Sequence, residues 1–434
     1  MTLEVRGNAH RASNLDKVTK MKPENVIVIG DLGSTSRTGG GQIFLRNLLF
    51  LLSSLEHQKN IYCFTTVHET DVTTLYNQLE AANPNLKIIS TKVPSHLIGH
   101  PFVDLKFFFS IRAKIKNLKP DLIIHDQPSL LSIMIQGEQN ITFFHGPIGR
   151  KKRKFSFVSH RTGSFLKQLK SFLKQRIWQD FIIRLGIKLK IRFAGKSDYF
   201  ICNSEYTKNL LLEVSKIPNE KMTVLGLPVD CTSFKPSSRL RQDHRKKYGI
   251  SNNEVVLLFA SNFSLHKQPI FAEKVSEIIL QKYPNVKIAF VGRSVDNEIL
   301  DEFSQAKSRI IRLHEVNHNE LISLYNMADV LFSTSKSETF GYTLVEGMAC
   351  GKPTVAISGG SQIEYMIHRR NALMCTSLED FVQSLSYLIE DSNLRDTLGN
   401  QAQRIIEQKY SIPAYSHNLK KLLCKTDSNA KFSS

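Results

Sequence analysis

Short apolar runs with almost no polar alternation are the feature that most restricts this fold. The first is "NVIVIG" (25–30), dense in Val and Ile. Such a run suits a strand buried on both faces, the situation of a strand in a helix-covered parallel sheet. A polar loop follows, then "GGGQIFLRNLLFLL" (39–52), whose apolar residues recur at helical spacing. Further strand runs are "NIYCFTT" (60–66), "LKIIST" (86–91), "DLIIHD" (121–126), "NITFFHG" (140–146), "SDYFICNS" (197–204) and "KMTVLGLPVD" (221–230). Helical stretches lie between most of them, which predicts a doubly wound α/β domain. A polar, basic stretch, "KPSSRLRQDHRKK" (235–247), precedes a second series. That series runs "EVVLLFAS" (254–261), "VKIAFVG" (286–292), "RIIRLHE" (309–315), "ADVLFSTS" (328–335), "KPTVAIS" (352–358) and "NALMC" (371–375).

Two α/β domains in tandem are therefore expected, with a hinge near Val229–Ser238. The expected boundaries are a flexible extension over 1–24, a first domain over 25–232 and a second over 233–411. A helix over 412–424 returns to complete the first domain, and 425–434 form a flexible tail. A chain of 434 residues agrees, being too long for one ordinary core. No apolar run approaches the ~18–20 residues of a membrane-crossing helix, and the polar, basic first 24 residues lack the apolar centre of a secretory signal. Six scattered cysteines (63, 202, 231, 350, 375, 424) show no metal spacing and suit buried thiols in a reducing compartment. A cytoplasmic protein is the expectation.

Ligands of open parallel sheets sit at the carboxyl ends of strands, so the loops there carry the functional argument. Gly39, Gly40 and Gly41 follow the first strand and open a helix, where backbone N–H groups can hold an anion. Their spacing is neither a dinucleotide fingerprint nor a phosphate loop, and glycines like these, taken alone, are more often a flexible turn. The stretch "SKSETFGYTLVEGMACGKP" (335–353) says more. Its strand delivers Glu338, Phe340-Gly341 turn a corner, and "YTLVEGMAC" starts a helix. Free N–H groups around Gly341–Leu344 would favour an anion beside Glu338, and Glu346 lies within reach on the same helix. A carboxylate suits vicinal sugar hydroxyls. Acids on both sides of an anion-binding corner would suit a nucleotide sugar.

From about Ser204 to Leu373 the sequence closely resembles the retaining glycosyltransferases of family 4. The carrying residues are Glu338 and Glu346 at the family's Glu-x7-Glu spacing, then "SGGSQIEYMI" (358–367) and "NALM", with "NSEYTKNLL", "VDCTSFKP", "FASNFSLHK" and "LISLYNMADVLFSTS" upstream. The amino-terminal half matches more loosely, through Gly39–Gly41 and "FFHG" at His145. The resemblance implies the GT-B fold: two tandem Rossmann-like domains with the active site in the cleft between them. It implies transfer of a hexosyl unit from a UDP- or GDP-sugar to a glycan or lipid-linked acceptor, with retention, in cell-surface glycan biosynthesis.

Residue roles follow from the same resemblance. Glu338 resembles the acid that holds donor-sugar hydroxyls, Glu346 the acid that binds the ribose, and Lys267 the lysine that pairs with the diphosphate and offsets leaving-group charge. The backbone of Phe340, Gly341, Tyr342, Thr343 and Leu344, with Gly40 and Gly41, resembles the remaining donor contacts. His145 resembles the histidine beside the reacting sugar. Asn262 stands where the family often has Arg, so Arg293 is a candidate to share the charge with Lys267. "GLPVD" replaces the commoner Asn-Gly-Val/Ile-Asp and is read as a tolerated variant. No Asp-x-Asp occurs in the chain, and no metal or other cofactor is expected beyond the co-substrate.

The net charge of +19 is concentrated. Residues 150–196 carry 15 Lys/Arg against one acid, Asp180. In "SFLKQLKSFLKQRIW" (164–178), Phe165, Leu166, Leu169, Phe172, Leu173 and Ile177 fall on one helical face, with Lys167, Lys170 and Lys174 outside it. A core-packed helix with a solvated basic face is one reading. Docking of a basic insertion on an anionic membrane is the other, and gives a peripheral protein on the inner face. Two rivals of other classes are a nucleotide-sugar-binding pseudoenzyme, prompted by Asn262, and a nucleic-acid-binding protein, prompted by the charge. No recognition helix or RNA-binding sheet motif accompanies that charge, so nucleic acid is not expected as a partner.

Overall fold

The structure is a computed structural model that describes residues 24–30, 40–53, 60–67, 73–92, 101–126, 137, 139–145, 197–261, 267–292, 307–314 and 316–423. The extension before Glu24, Gly39, the basic stretch 150–196, Asn262, Arg293 and the tail after Leu423 lie outside the described residues. The chain divides into two compact units. The first ends at Leu225 and takes in the chain again from Leu419, and the second is Gly226–Asn418.

The sheet of the first unit has seven strands among the described residues: β1 (Asn25–Ile29), β2 (Asn60–Val67), β3 (Leu86–Lys92), β4 (Leu122–His125), β5 (Gln139–Phe144), β6 (Tyr199–Cys202) and β7 (Met222–Val224). Their order is β3-β2-β1-β4-β5-β6-β7, and every pairing is parallel. The unalternating runs are buried as their composition requires: Val26, Ile27 and Val28 are all 0% exposed. Helices α1 (Gly40–Ser53), α2 (Thr73–Ala82), α3 (Pro101–Leu118) and α4 (Glu205–Val214) alternate with the strands. Ile111 and Ile115 of α3 pack on Ile27, Ile29, Phe64 and Ile123. Ser204 caps α4 by accepting the Thr207 N–H at 3.0 Å.

The second unit repeats the arrangement, with six parallel strands among the described residues. They are β8 (Val255–Ala260), β9 (Val286–Val291), β10 (Ile310–Leu313), β11 (Val330–Ser333), β12 (Thr354–Ile357) and β13 (Leu373–Cys375), in the order β10-β9-β8-β11-β12-β13. Its helices are α5 (Ser238–Lys247), α6 (Pro269–Lys282), α7 (His318–Met327), α8 (Tyr342–Ala349), α9 (Leu378–Glu390) and α10 (Ser392–Tyr410), and α11 (Ile412–Leu423) begins in it and ends in the first unit. The core joins Leu257 and Phe259 of β8, Val275 and Ile279 of α6, and Phe381, Leu385 and Leu388 of α9.

The basic stretch 235–247 contains α5, inside the second unit. Arg241 and Arg245 of that helix clamp Asp329, at 2.6 and 3.1 Å, just before β11. They also donate to the carbonyls of Met327 and Ala328, the bare end of α7. The run "KMTVLGLPVD" makes only a three-residue strand, and Val229 pairs instead with Ser411 within the second unit. The division accordingly falls at Leu225/Gly226, ahead of the expected hinge.

Candidate functional site

In both sheets the strand order reverses beside the first strand, between β1 and β4 and between β8 and β11. Ligands of such sheets sit at the carboxyl ends of the strands flanking that reversal. In the second unit those ends lead to Lys267 and to Glu338. The structure brings the two together: Lys267 Nζ donates to Glu338 Oε1, with side chains 17% and 11% exposed.

Each partner is held from the backbone. The fully buried Thr334, next after β11, donates from Oγ1 to the Lys267 carbonyl at 2.6 Å. Gln268 then takes a left-handed φ of 52°, and Pro269 opens α6 with its φ already set for a helix. On the other side, the Ser361 N–H donates to the Glu338 carbonyl at 2.9 Å. Gly360, at φ +60°, lies so close that a Cβ there would sit 2.6 Å from Glu338 N and 2.7 Å from its carbonyl oxygen. Gln362 Nε2 donates to the Ser335 carbonyl at 3.1 Å and also to the Ile357 carbonyl, tying β12 to the loop that carries Glu338.

Past Glu338 the corner forms as expected. Gly341 adopts φ +84° at the cap of α8, where a Cβ would meet Tyr365 Oη at 2.8 Å. Tyr365 donates to the Phe340 carbonyl at 2.7 Å, and Tyr410 meets both the Phe340 and Tyr365 rings edge-on. Phe340 and Leu344 are 3% and 1% exposed, so their side chains are packed inside the unit. The expectation of free N–H groups through Leu344 is corrected: the Leu344 N–H donates to the Gly341 carbonyl at 2.9 Å. The corner's backbone contribution narrows to the residues before it, including Tyr342 and Thr343.

Glu346 faces inward. It is 3% exposed and accepts from Tyr325 Oη at 3.1 Å. Burial pushes its carboxyl up to about 8, against the smaller opposing effect of the Tyr325 hydrogen bond.

In the first unit, Gly40 and Gly41 open α1. His145 follows β5, and Nε2 meets Asp126 Oδ1 at 3.1 Å, both residues buried. The ring packs on Phe44 of α1 at 4.3 Å, and its Nδ1 has no partner among the described residues. Asp126 follows β4, with its N–H donating to the Ile29 carbonyl at 2.9 Å. A Cβ on Gly30 would strike the Asp126 Cβ at 2.7 Å, so glycine is required after β1.

Asp126, Thr334, Gly360 and Tyr365 were not singled out in the sequence. All four either directly follow a strand end or sit in the quoted "SGGSQIEYMI", and that position was the available signal. Among the described residues no three His, Cys, Asp or Glu side chains gather as a metal site, and no helix is long and apolar enough to cross a membrane.

Comparison with known proteins bears on this arrangement. The family described as glycosyl transferases group 1 matches residues 241–405, and that described as glycosyltransferase family 4 matches residues 38–233. The alpha-monoglucosyldiacylglycerol synthase of Acholeplasma laidlawii is 24% identical over 56% of this chain and 66% of its own length. A D-inositol 3-phosphate glycosyltransferase of Pseudarthrobacter chlorophenolicus is 27% identical over 40% of this chain and 43% of its own. The chain thus spans between 43% and 66% of the length of these relatives. Among solved structures, Anabaena HepE in complex with UDP-glucose is similar with a TM-score of 0.65 and 17% identity, over 93% of this chain and 100% of the other. With the two family matches together spanning most of its length, the chain belongs to the group 1, family 4 glycosyltransferases, and its two parallel-sheet units are those of the GT-B fold.

Proposed function

We propose that the protein moves a hexosyl unit from a UDP- or GDP-sugar to a glycan or lipid-linked acceptor, with retention of configuration. The observation that carries this reading is the Lys267–Glu338 pair at the carboxyl ends beside the β8/β11 reversal, next to the Gly341 corner. A cation and a carboxylate set side by side match a ligand with a diphosphate next to a hydroxylated ring. That Anabaena HepE was solved with UDP-glucose supports the same class of donor.

In this reading Lys267 takes the diphosphate and Glu338 the sugar hydroxyls. The backbone from Phe340 to Thr343 and Gly40–Gly41 supply further contacts, and Glu346 holds the ribose. Asn262 and Arg293 keep their proposed place near the diphosphate. The bond from the anomeric carbon to the phosphate oxygen breaks as the acceptor oxygen bonds to that carbon, and the acceptor proton passes to the leaving phosphate. Lys267 offsets the charge that develops there. His145, held by Asp126, lies beside the reacting sugar. The proposal needs no divalent metal, consistent with a chain lacking Asp-x-Asp. It places the protein on the inner face of an anionic membrane through residues 150–196, on their charge alone.

The test is a thermal-shift and hydrolysis screen of UDP-, GDP- and ADP-sugars, with and without EDTA. At least one donor should stabilise the full chain and be hydrolysed slowly in EDTA. Glu346→Ala should weaken that donor by about 1.5–3 kcal/mol. No stabilisation by any nucleotide sugar overturns the reading.

A further inference from the structure

The two side chains assigned to the donor neutralise each other in the free protein. Lys267 and Glu338 are in direct contact and largely shielded from water. Their backbones are pinned by Thr334, Ser361 and the close-packed Gly360. Breaking the contact is thus a side-chain exchange rather than a loop movement. We propose that this ion pair is a selectivity gate: it admits a diphosphate that carries a sugar and disfavours the bare nucleoside diphosphate left after transfer. The inference rests on the donor reading above and adds a discrimination step to it.

A carboxylate stripped of its cation in a water-poor site has to find other donors, or its desolvation stands uncompensated. An intact donor supplies them. Its phosphates take Lys267 while its sugar hydroxyls donate to Glu338, so both ends of the broken pair are satisfied. A nucleoside diphosphate takes Lys267 and leaves Glu338 stripped of its cation with no hydroxyl to replace it. Binding of the product is weakened relative to the donor, and product leaves as Lys267 returns to Glu338.

The test is a double-mutant cycle on the full chain, by calorimetric titration with UDP and GDP and the matching sugar nucleotides. Glu338→Gln, near in shape, should tighten nucleoside diphosphate binding about tenfold and narrow the preference for the intact donor. The decisive arm is Lys267→Met. Simple repulsion between Glu338 and phosphate would persist without the lysine, whereas the gate needs it. In the Lys267→Met background Glu338→Gln should therefore change diphosphate affinity less than about twofold. Should Glu338→Gln fail to fold, Glu338→Ala gives the same cycle. Equal tightening in both backgrounds, or none in either, overturns the gate while leaving the donor reading standing. Absence of any nucleotide binding by the wild-type protein overturns both.

Discussion

The inward-facing Glu346 makes stability depend on pH in a way one substitution should erase. Its carboxyl is lifted from an ordinary value of 4.5 to about 8, because burial removes the water that would solvate the anion and the Tyr325 hydrogen bond offsets only part of that. Between those values the folded protein keeps a proton that the unfolded chain has released. Stability from this group is complete below about pH 4.5 and is lost as pH rises towards 8, then stays level. At about 1.4 kcal/mol per unit the loss is on the order of 5 kcal/mol. Glu346→Gln cannot titrate, yet its amide oxygen can still accept from Tyr325. The variant and the wild type should melt together near pH 5. At pH 8.5 the variant should melt roughly 10 °C higher, taking about 2–4 °C per kcal/mol for a unit of this size. Calorimetry of the full chain from pH 5 to 9 measures this, and the difference between the two proteins isolates the one carboxylate. A gap that stays constant across that range would refute the buried, proton-holding Glu346.

Two further outcomes follow from the same unit. Asp329→Ala removes the anion from a clamp in which Arg245 is only 4% exposed, so an uncompensated buried charge remains. A loss of about 3–5 kcal/mol is expected in urea unfolding, and one below about 1 kcal/mol would show the clamp to be ornamental. Gly360→Ala forces a methyl against the Glu338 backbone at a left-handed φ. It should cost at least about 1–2 kcal/mol of stability and weaken sugar-nucleotide binding more than about fivefold in titrations; unchanged binding in a folded variant would separate Gly360 from the site.

The fold was legible because burial on both faces leaves a local trace. Runs such as "NVIVIG" and "EVVLLFAS" became β1 and β8 wholly from their lack of polar alternation. The Phe340-Gly341 corner was legible for a similar reason, since a strand end, an obligatory turn and a helix start lie within a few residues. The role of the basic stretch before β8 was not legible, because charge alone does not say what a helix face will pair with. Its arginines are spaced four apart on α5, and what makes them structural is Asp329, over eighty residues away. The surroundings of Glu346 were hidden in the same way. Its position on α8 was right, but which way it faces is decided by Tyr325 on a different helix.

The Asp126–His145 pair shows what kind of information the sequence lacks. Each residue stands immediately after a strand, so each was visible singly as a residue at a carboxyl end. Their pairing depends on β4 and β5 being neighbours in parallel, with His125 opposite Thr142. That register sets Asp126 beside the end of β5, close enough for the ring of His145 to reach it. The same reasoning applies to Lys267 and Glu338, which are 71 residues apart and meet because β8 and β11 are adjacent at the reversal of strand order. In both units, then, a strand end can be read locally, while the side chain it will meet is set by sheet order. A glutamate that looked like a free ligand for sugar hydroxyls is, in the folded chain, already bound to the lysine meant for the phosphate. That contact gives the site a state of its own before any donor arrives.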